Sequence, residues 1–547
     1  MSGEGSSNIS RKGFLKLGAL ALAIPYLHSC NLLKDKKVIP IRFAGANSKT
    51  GHLLRTGQFP APAVADVVTV ETLVVGGGVS GLSAARYLHK NNYNDFVLLE
   101  LDTMVGGNAK GGKNAVSEYP YGAHYLPLPN EKFSDLITFL HEHNIVTGFD
   151  DKGLPIYNED HLCAEPQERL HYKGLWHEGL PPKTGMSEAE KNELLRFLAL
   201  TESYKSKTWS DQKPAFTIPV EWSSEDEALM QLDKLTMAEF LKQQKFETEF
   251  LHWYINYCCK DDFGTSMHRV SAWAAMHYFS SRNGKAANAG SFEQLVWPEG
   301  NHFLVKCLKK EIAPKIKAGH LVYKVEKAGE SWQCLVFDVN ANKSVTYNCK
   351  NIIFATPQFV NKRLLGTIAG VDFNDFAYYP WLTANITINN KFALNGLSEL
   401  CWDNVSYDSK SLGYVNACHQ TSDRAQFKTV LTYYYNFSEN APKAEREFIY
   451  GKDENYWKEF IISDLQNIHE GIEELIDDIE LYAFGHGMIS PVPGFRNMAS
   501  RKKLAEGFDN LQFVNSDVSG ISIFEQAFYR GTEAAKNIIN SKKNEQA

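Results

Sequence analysis

The chain has 547 residues, of which 44% are hydrophobic and 22% charged, and its formal charge is -7. Those numbers describe a globular protein of two or more domains, or one large interleaved pair, with ample apolar material for a core. The acidic balance excludes nucleic acid as the main partner, because phosphate recognition wants a basic face, and no apolar run in the body of the chain is long enough to span a bilayer.

In chain order, the first predicted element is an export signal. Arg11-Lys12 supplies a basic n-region, and Phe14 to Leu27 forms a short apolar segment. Ser10-Arg11-Lys12-Gly13-Phe14-Leu15-Lys16 resembles a twin-arginine signal with lysine in place of the second arginine. Leu27-His28-Ser29-Cys30 resembles a bacterial lipobox. The resemblance implies cleavage before Cys30, lipidation of its thiol, and a lipid anchor in the periplasm or cell envelope. A Sec signal and an amphipathic starter helix are the alternatives. Residues 31–65 then read as a tether rich in Lys, Gly, Ser and Pro, in which Ile39, Ile41 and Phe43 alternate like a short strand. None of the nine cysteines lies in a Cys-x-x-Cys pair, and no metal-ligand spacing appears, so no metal site is expected.

An α/β unit begins at Thr69. Its apolar strand ends at Val75 and runs into Gly76-Gly77-Gly78-Val79-Ser80-Gly81. In this pattern Gly76 permits a tight turn, Gly78 lets the backbone approach a pyrophosphate, and Gly81 lets the helix pack closely on the strand. The helix that opens at Val79-Ser80 turns free N–H groups and its positive dipole end toward phosphates. A second strand, Phe96-Val97-Leu98-Leu99-Glu100, ends on an acid placed to bind ribose hydroxyls, and that acid disfavours the 2′-phosphate of NADP.

Residues 131 to 285 read mostly as amphipathic helices, among them Glu188 to Leu200 and Met237 to Lys245. Strand patterns return in Val345-Thr346-Tyr347 and Ile352-Ile353-Phe354, and a mixed segment fills 366 to 480. The C-terminal stretch reads strand, loop, helix: Phe513-Val514-Asn515-Ser516-Asp517, then Ser519-Gly520, then Ile523-Phe524-Glu525. Asp517 is placed to accept a hydrogen bond from a ribityl hydroxyl. This distant acid, with Gly106-Gly107 a short step beyond Glu100, favours FAD over NAD.

On these blocks the chain resembles the flavin-dependent amine oxidase superfamily, which includes polyene desaturases and protoporphyrinogen oxidases. Pro120-Tyr121-Gly122-Ala123-His124-Tyr125 sits where the family's Gly-Gly-x-Tyr segment faces the flavin ring. Val322 to Val325 is similar to the strand whose backbone meets the adenine, and Ala355-Thr356-Pro357 closes that block. Gly485-His486-Gly487-Met488 and Pro493-Gly494-Phe495 also resemble spermidine-dehydrogenase-like bacterial proteins, more loosely. The resemblance implies an α/β fold in which a Rossmann-type, glutathione-reductase-like FAD-binding domain (66–130, 286–365 and 481–547) is interleaved with an α+β substrate domain (131–285 and 366–480). It implies noncovalent FAD held by Gly76, Gly78, Ser80, Gly81, Glu100, Gly106, Gly107, Gly122, Ala123, His124, Tyr125, Val325, Ala355, Asp517, Ile523 and Phe524.

The chain departs from the family at several points. Asn108 follows Gly106-Gly107, where an arginine is common. Aligning Thr383 to Ile388 with the strand that carries a flavin-side lysine places Asn385 there. Phe524 and His486 stand nearest the two aromatic rings that flank the amine. No cysteine lies between Leu511 and Ala547, so a thioether to flavin is excluded there. His486, Phe524 and Asn385 are therefore the candidates for the reacting face. Asp261-Asp262 and Asp403 are acids of the kind that attract a cation, but solvated surface positions are expected for them. Tyr433-Tyr434-Tyr435 is expected in a core strand.

Three functions follow. The first is oxidation of an amine, a polyamine being the best single guess, with oxygen, quinone or a redox protein as electron acceptor. The second is desaturation or isomerisation of a hydrophobic polyene or ring, and the third a non-enzymatic flavin electron carrier. Carboxylates near the flavin favour the first, and a wide apolar tunnel the second.

Overall fold

A computed structural model describes residues 37–63, 66–396, 398–421, 423 and 425–546. The expected signal and lipobox, with Cys30, lie outside the described residues. Two large sheets organise the described residues from Ile41 onward. The first has seven strands and begins with Val67–Val75, which pairs in parallel with Phe96–Glu100 on one side and with Lys343–Phe354 on the other. Ile316–Ala318 extends it beyond Phe96–Glu100. The strand Lys343–Phe354 unites the two apolar runs read separately in the sequence, and it changes partner along its length. Its first part pairs antiparallel with Ser331–Asp338, and its end pairs in parallel with Leu511–Phe513. Leu73, Val74, Leu98, Ile352 and Ile353 are completely buried, as strands covered on both faces require.

Helix Val79–Lys90 follows the first strand and packs on the C-terminal helix Phe524–Gln546. Contact is close because Gly531 lies on the Ser80 carbonyl, and a Cβ there would stand 2.0 Å from that oxygen. Leu82, Ala85, Ala534 and Ala535 fill the interface.

The second sheet has eight strands in the order Ile41–Gly45, Ile476–Ile489, Tyr378–Ile388, Thr429–Asn436, Tyr414–Asn416, Asp403–Ser406, Glu168–Tyr172 and Leu175–Glu178. Part of the expected tether is thus an edge strand, running parallel to Ile476–Ile489 from Ile41 opposite Ile479 to Gly45 opposite Ala483. Ile476–Ile489 also crosses the boundary expected at 480/481. Residues 481–489 belong to this second sheet, because they pair antiparallel with Tyr378–Ile388, from Leu481 opposite Ala384 to Ile489 opposite Tyr378.

The helical region between the sheets' segments carries clear start signals. Ser187 and Thr236 each accept from the backbone N–H three residues on, while Glu190 and Glu239 reach back to the cap, two capping boxes that open Glu188–Ser206 and Met237–Gln243. Helices Glu249–Phe263 and Ala272–Ser281 complete a core of Phe250, Leu251, Trp273 and Met276.

Candidate active site

At the end of Val67–Val75 the chain turns through Gly76 at φ 104, and a Cβ there would stand 3.1 Å from the Ala355 carbonyl. Gly81 is packed more tightly, with a Cβ position only 1.9 Å from the Gly76 oxygen. Gly78 differs, since the nearest heavy atom to its Cβ position is Gly107 Cα at 4.0 Å. Gly106 and Gly107 both have positive φ and run beside the first turn, tied to it by Gly106 N–H donating to the Gly77 carbonyl at 2.8 Å. Helix Val79–Lys90 opens with no side chain capping its first turn. A glycine-lined floor beside uncapped, convergent N–H groups fits the pyrophosphate of a dinucleotide.

Glu100 closes one end of this cleft. Its carboxylate accepts from Gly77 N–H at 2.7 Å and Asp102 N–H at 2.8 Å, and burial pushes it above the usual carboxylate range. Asp517 closes the other end. It accepts from Tyr378 Oη and from Gln358 N–H at 3.2 Å, and burial pushes it up to about 6. Asn515 Nδ2 donates to the Ala355 carbonyl at 3.2 Å and fixes this loop on the sheet. Val325 lies in His320–Ala328 with its side chain buried in the Rossmann-side core.

Beyond the cleft is a cavity of about 130 Å³. Gly122, Ala123, His124 and Tyr125 form one wall, and Ile523 and Phe524 form another. Six sequence-predicted residues from distant parts of the chain therefore meet in one place. Tyr434 Oη donates to the Gly122 carbonyl at 2.9 Å, and Asn301 Nδ2 donates to the Tyr125 carbonyl at 2.9 Å. His124 sits among Tyr434 and Trp402, with ring centroids 4.8 and 5.4 Å away. Burial lowers its imidazole to about 4, so it is neutral at pH 7.

Two candidates for the reacting face are placed elsewhere. His486 is stacked on Phe359, with centroids 4.0 Å apart, and meets Tyr378 edge-on; it is not part of the cavity wall. Its strand neighbours Phe484, Gly487 and Met488 line the cavity instead. Burial and then Arg446 lower the His486 imidazole to about 3. Asn385 is buried two residues beyond the cavity, where its Oδ1 accepts from Thr432 Oγ1 at 2.7 Å. On that strand Trp381 and Thr383 reach the cavity, and Thr383 Oγ1 donates to the Tyr121 carbonyl at 2.8 Å. A two-residue displacement keeps the same strand face, so the pattern alone did not distinguish Thr383 from Asn385.

The acids expected on the surface require correction. Asp261 and Asp262 both line the cavity, and Asp262 is only 7% exposed. Arg282 donates to Asp262 at 2.7 Å. Glu525, 2% exposed in the first turn of the C-terminal helix, joins them in the wall. Burial, reinforced by the Asp262 charge, pushes Asp261 up to about 7, and burial pushes Glu525 up to about 7. Asp403 lies beside Glu168 in the second sheet and is also raised, by burial and by that neighbour. A signal for Asp262 was present: Ile255, Cys258, Cys259 and Asp262 recur at helical spacing on one buried face. Tyr434, expected as core, is a wall residue as well. Among the described residues no group of acids, histidines and cysteines is arranged to hold a metal.

Residues 74–141 match the model of the NAD(P)-binding Rossmann-like domain family. A flavin-containing amine oxidase of Oncorhynchus mykiss is 22% identical over 313 residues, covering 54% of this chain and 52% of the relative. The match thus spans about half the length of that curated relative. A putrescine oxidase solved with putrescine superposes with a TM-score of 0.62 at 13% identity, over 87% of this chain and 100% of the other. A fatty acid isomerase from P. acnes superposes with a TM-score of 0.60 at 12% identity, over 86% of this chain and 98% of the other. Fold and cleft define a dinucleotide-binding α/β protein with the fold of flavoprotein oxidases. More narrowly, the chain is similar in sequence to a flavin-containing amine oxidase and in fold to amine oxidases of known structure.

Proposed function

We propose that the chain binds FAD noncovalently and oxidises a primary or secondary amine, with a polyamine as the first substrate to try. The observation that carries this reading is the set of carboxylates in the cavity wall. Arg282 is matched by Asp262, which leaves the charges of Asp261 and Glu525 for a cationic substrate. The cleft fits the cofactor, with Glu100 for the ribose, the glycine turns for the pyrophosphate and Asp517 for the ribityl chain. When bound, FAD supplies a two-electron acceptor for the hydride from the carbon beside the amine nitrogen.

The chain's own groups prepare the substrate. An ammonium entering the cavity meets Asp261 and Glu525, whose carboxyl groups sit near 7, and its charge favours their ionised forms. One of these carboxylates takes the ammonium proton onto its oxygen, leaving a neutral amine whose C–H bond is more readily broken. Acceptors with pKa near the working pH suit this transfer. Trp381, Phe484, Met488 and Phe524 exclude water and hold the carbon chain. Neutral His124 adds no competing positive charge.

That apolar wall is also what favours the second reading, desaturation or isomerisation of a hydrophobic substrate. Anaerobic bleaching of the bound flavin separates the two. Amines should bleach it and unsaturated lipids should not, and Asp261→Asn should raise the amine KM about tenfold, the worth of one charge-assisted contact. Bleaching by lipids alone, or no bleaching by amines while an unsaturated lipid is isomerised with the flavin left oxidised, would overturn the amine reading. The electron acceptor we propose is oxygen, a quinone or a redox protein. From residues 1–30 we further infer export and a lipid anchor at Cys30.

A further inference from the structure

Beyond the glycine turns, a second group of residues converges on the dinucleotide cleft. After the edge strand Ile41–Gly45, the chain forms two short helical turns, Ser48–Gly51 and Leu53–Thr56. Gly51 lies against Leu101, the residue after Glu100, with a Cβ position 3.4 Å from its Cδ2. Leu54, like Phe359, packs against the hydrophobic cluster that contains Leu99 and Tyr378. This strap therefore bridges the ribose end of the cleft, marked by Glu100, and the ribityl end, where Tyr378 holds Asp517. Arg446, on helix Pro442–Tyr450, reaches the same place and donates to the Tyr378 carbonyl at 3.2 Å.

The charges there are unbalanced. Among the described residues, neither Arg55 nor Arg446 forms an ion pair with a carboxylate, and Glu447, on the helix of Arg446, pairs with Lys443 at 3.7 Å. Burial and the nearby Arg55 lower Arg446, and both arginines and His52 act on His486. The Tyr450 and Glu447 groups offset only part of this, no carboxylate is ion-paired with either guanidinium among the described residues, and an anion placed between the two would stabilise both. In a dinucleotide, the group between the ribose and the ribityl chain is the pyrophosphate. The position after Gly106-Gly107 contributes no cation to it, because Asn108 is there and its Nδ2 donates to the Gly487 carbonyl.

We propose that Arg55 and Arg446 form a second phosphate clamp, which binds the pyrophosphate of the dinucleotide and holds the strap 47–57 across the cleft. The glycine turns supply backbone N–H groups, and the clamp supplies the full positive charges they lack. The strap is tied to the second sheet by the pairing of Ile41–Gly45 with Ile476–Ile489. Cofactor release therefore requires the strap to lift. The clamp rests on the reading that the cofactor is FAD.

The test compares ligands with and without the pyrophosphate. Apoprotein of wild type, Arg55→Gln, Arg446→Gln and the double variant is titrated with FAD and with riboflavin. Each single change should raise the FAD dissociation constant about tenfold, the loss of one charge-assisted contact, and should leave riboflavin binding as it was. In wild type, FAD should slow hydrogen exchange across residues 47–57, a readout that needs no variant. Inorganic pyrophosphate should compete with FAD for wild type more strongly than for the double variant. An unchanged FAD constant in the double variant, an equal loss for riboflavin, or exchange in 47–57 indifferent to FAD would each overturn the clamp and leave the cofactor reading standing. Wild-type protein that binds no FAD would overturn the cofactor reading and the clamp with it.

Discussion

Arg282 and Asp262, 20 positions apart in the sequence, form a 2.7 Å ion pair in the cavity wall, and that pair determines the character of the cavity. Without Asp262, Arg282 would attract an anion. With it, the remaining charges in the wall are those of Asp261 and Glu525. Both are buried acids with raised pKa, a state that an incoming cation relieves.

The raised acids make stability depend on pH in a definite direction. In the folded protein Asp261 and Glu525 sit at about 7, well above the roughly 4 of an unfolded carboxyl group. Protonation therefore favours the folded state. Their contribution is fully present below about pH 4 and is lost as pH rises through about 7. Substrate-free Asp261→Asn and Glu525→Gln should melt higher than wild type at pH 8, and the difference should shrink by pH 5. A difference constant from pH 5 to 8 would show that these acids do not titrate as stated.

The two key glycines of the first turn should fail in different ways. Gly81→Ala places a Cβ 1.9 Å from the Gly76 oxygen, and such overpacking typically costs about 1–3 kcal/mol. This variant should melt early. Gly78→Val meets no atom closer than 4.0 Å at its Cβ, so it should fold and melt close to wild type while eluting colourless. Scanning calorimetry and released-flavin absorbance measure the two effects separately.

On the strand Tyr378–Ile388, the placement of Thr383 and Asn385 can be checked by kinetics. Thr383→Val removes a hydrogen bond to the Tyr121 carbonyl at the cavity and should change the rate of anaerobic flavin reduction by about tenfold. Asn385→Leu should lower stability through Thr432 and leave that rate within about twofold of wild type. The reverse pattern would return Asn385 to the reacting face.

Export is open to a fractionation experiment. Cys30→Ser should move the protein out of the membrane fraction or stall its maturation, because a single thiol carries the expected anchor. Membrane association that survives the change, in a chain that still begins with Met1, would refute lipidation at Cys30. Stable anchoring needs more than one acyl chain, as a single chain binds only marginally.

The Rossmann half was legible because local chemistry specifies it. A strand, three spaced glycines, a helix and an acid at the next strand's end are consecutive in the chain, and each constrains its neighbour through backbone sterics. The capping boxes at Ser187 and Thr236 were equally local. Gly122 to Tyr125 and Phe524 could be placed at one cavity because each lies next to such a local block.

His486 and Asn385 went astray for a register reason. A strand pattern shows which residues share a face but not how far along it the cavity begins, and a bulge between Tyr379 and Trp381 shifts the pairing with Ile476–Ile489. Asp261, Asp262 and Glu525 escaped because burial of a charge depends on partners distant in sequence. The sequence by itself determined the dinucleotide cleft, through chemistry carried by adjacent residues. Only the tertiary structure decided what the cavity attracts, because the balance between Arg282 and its acids exists only once helices from separate segments are packed side by side.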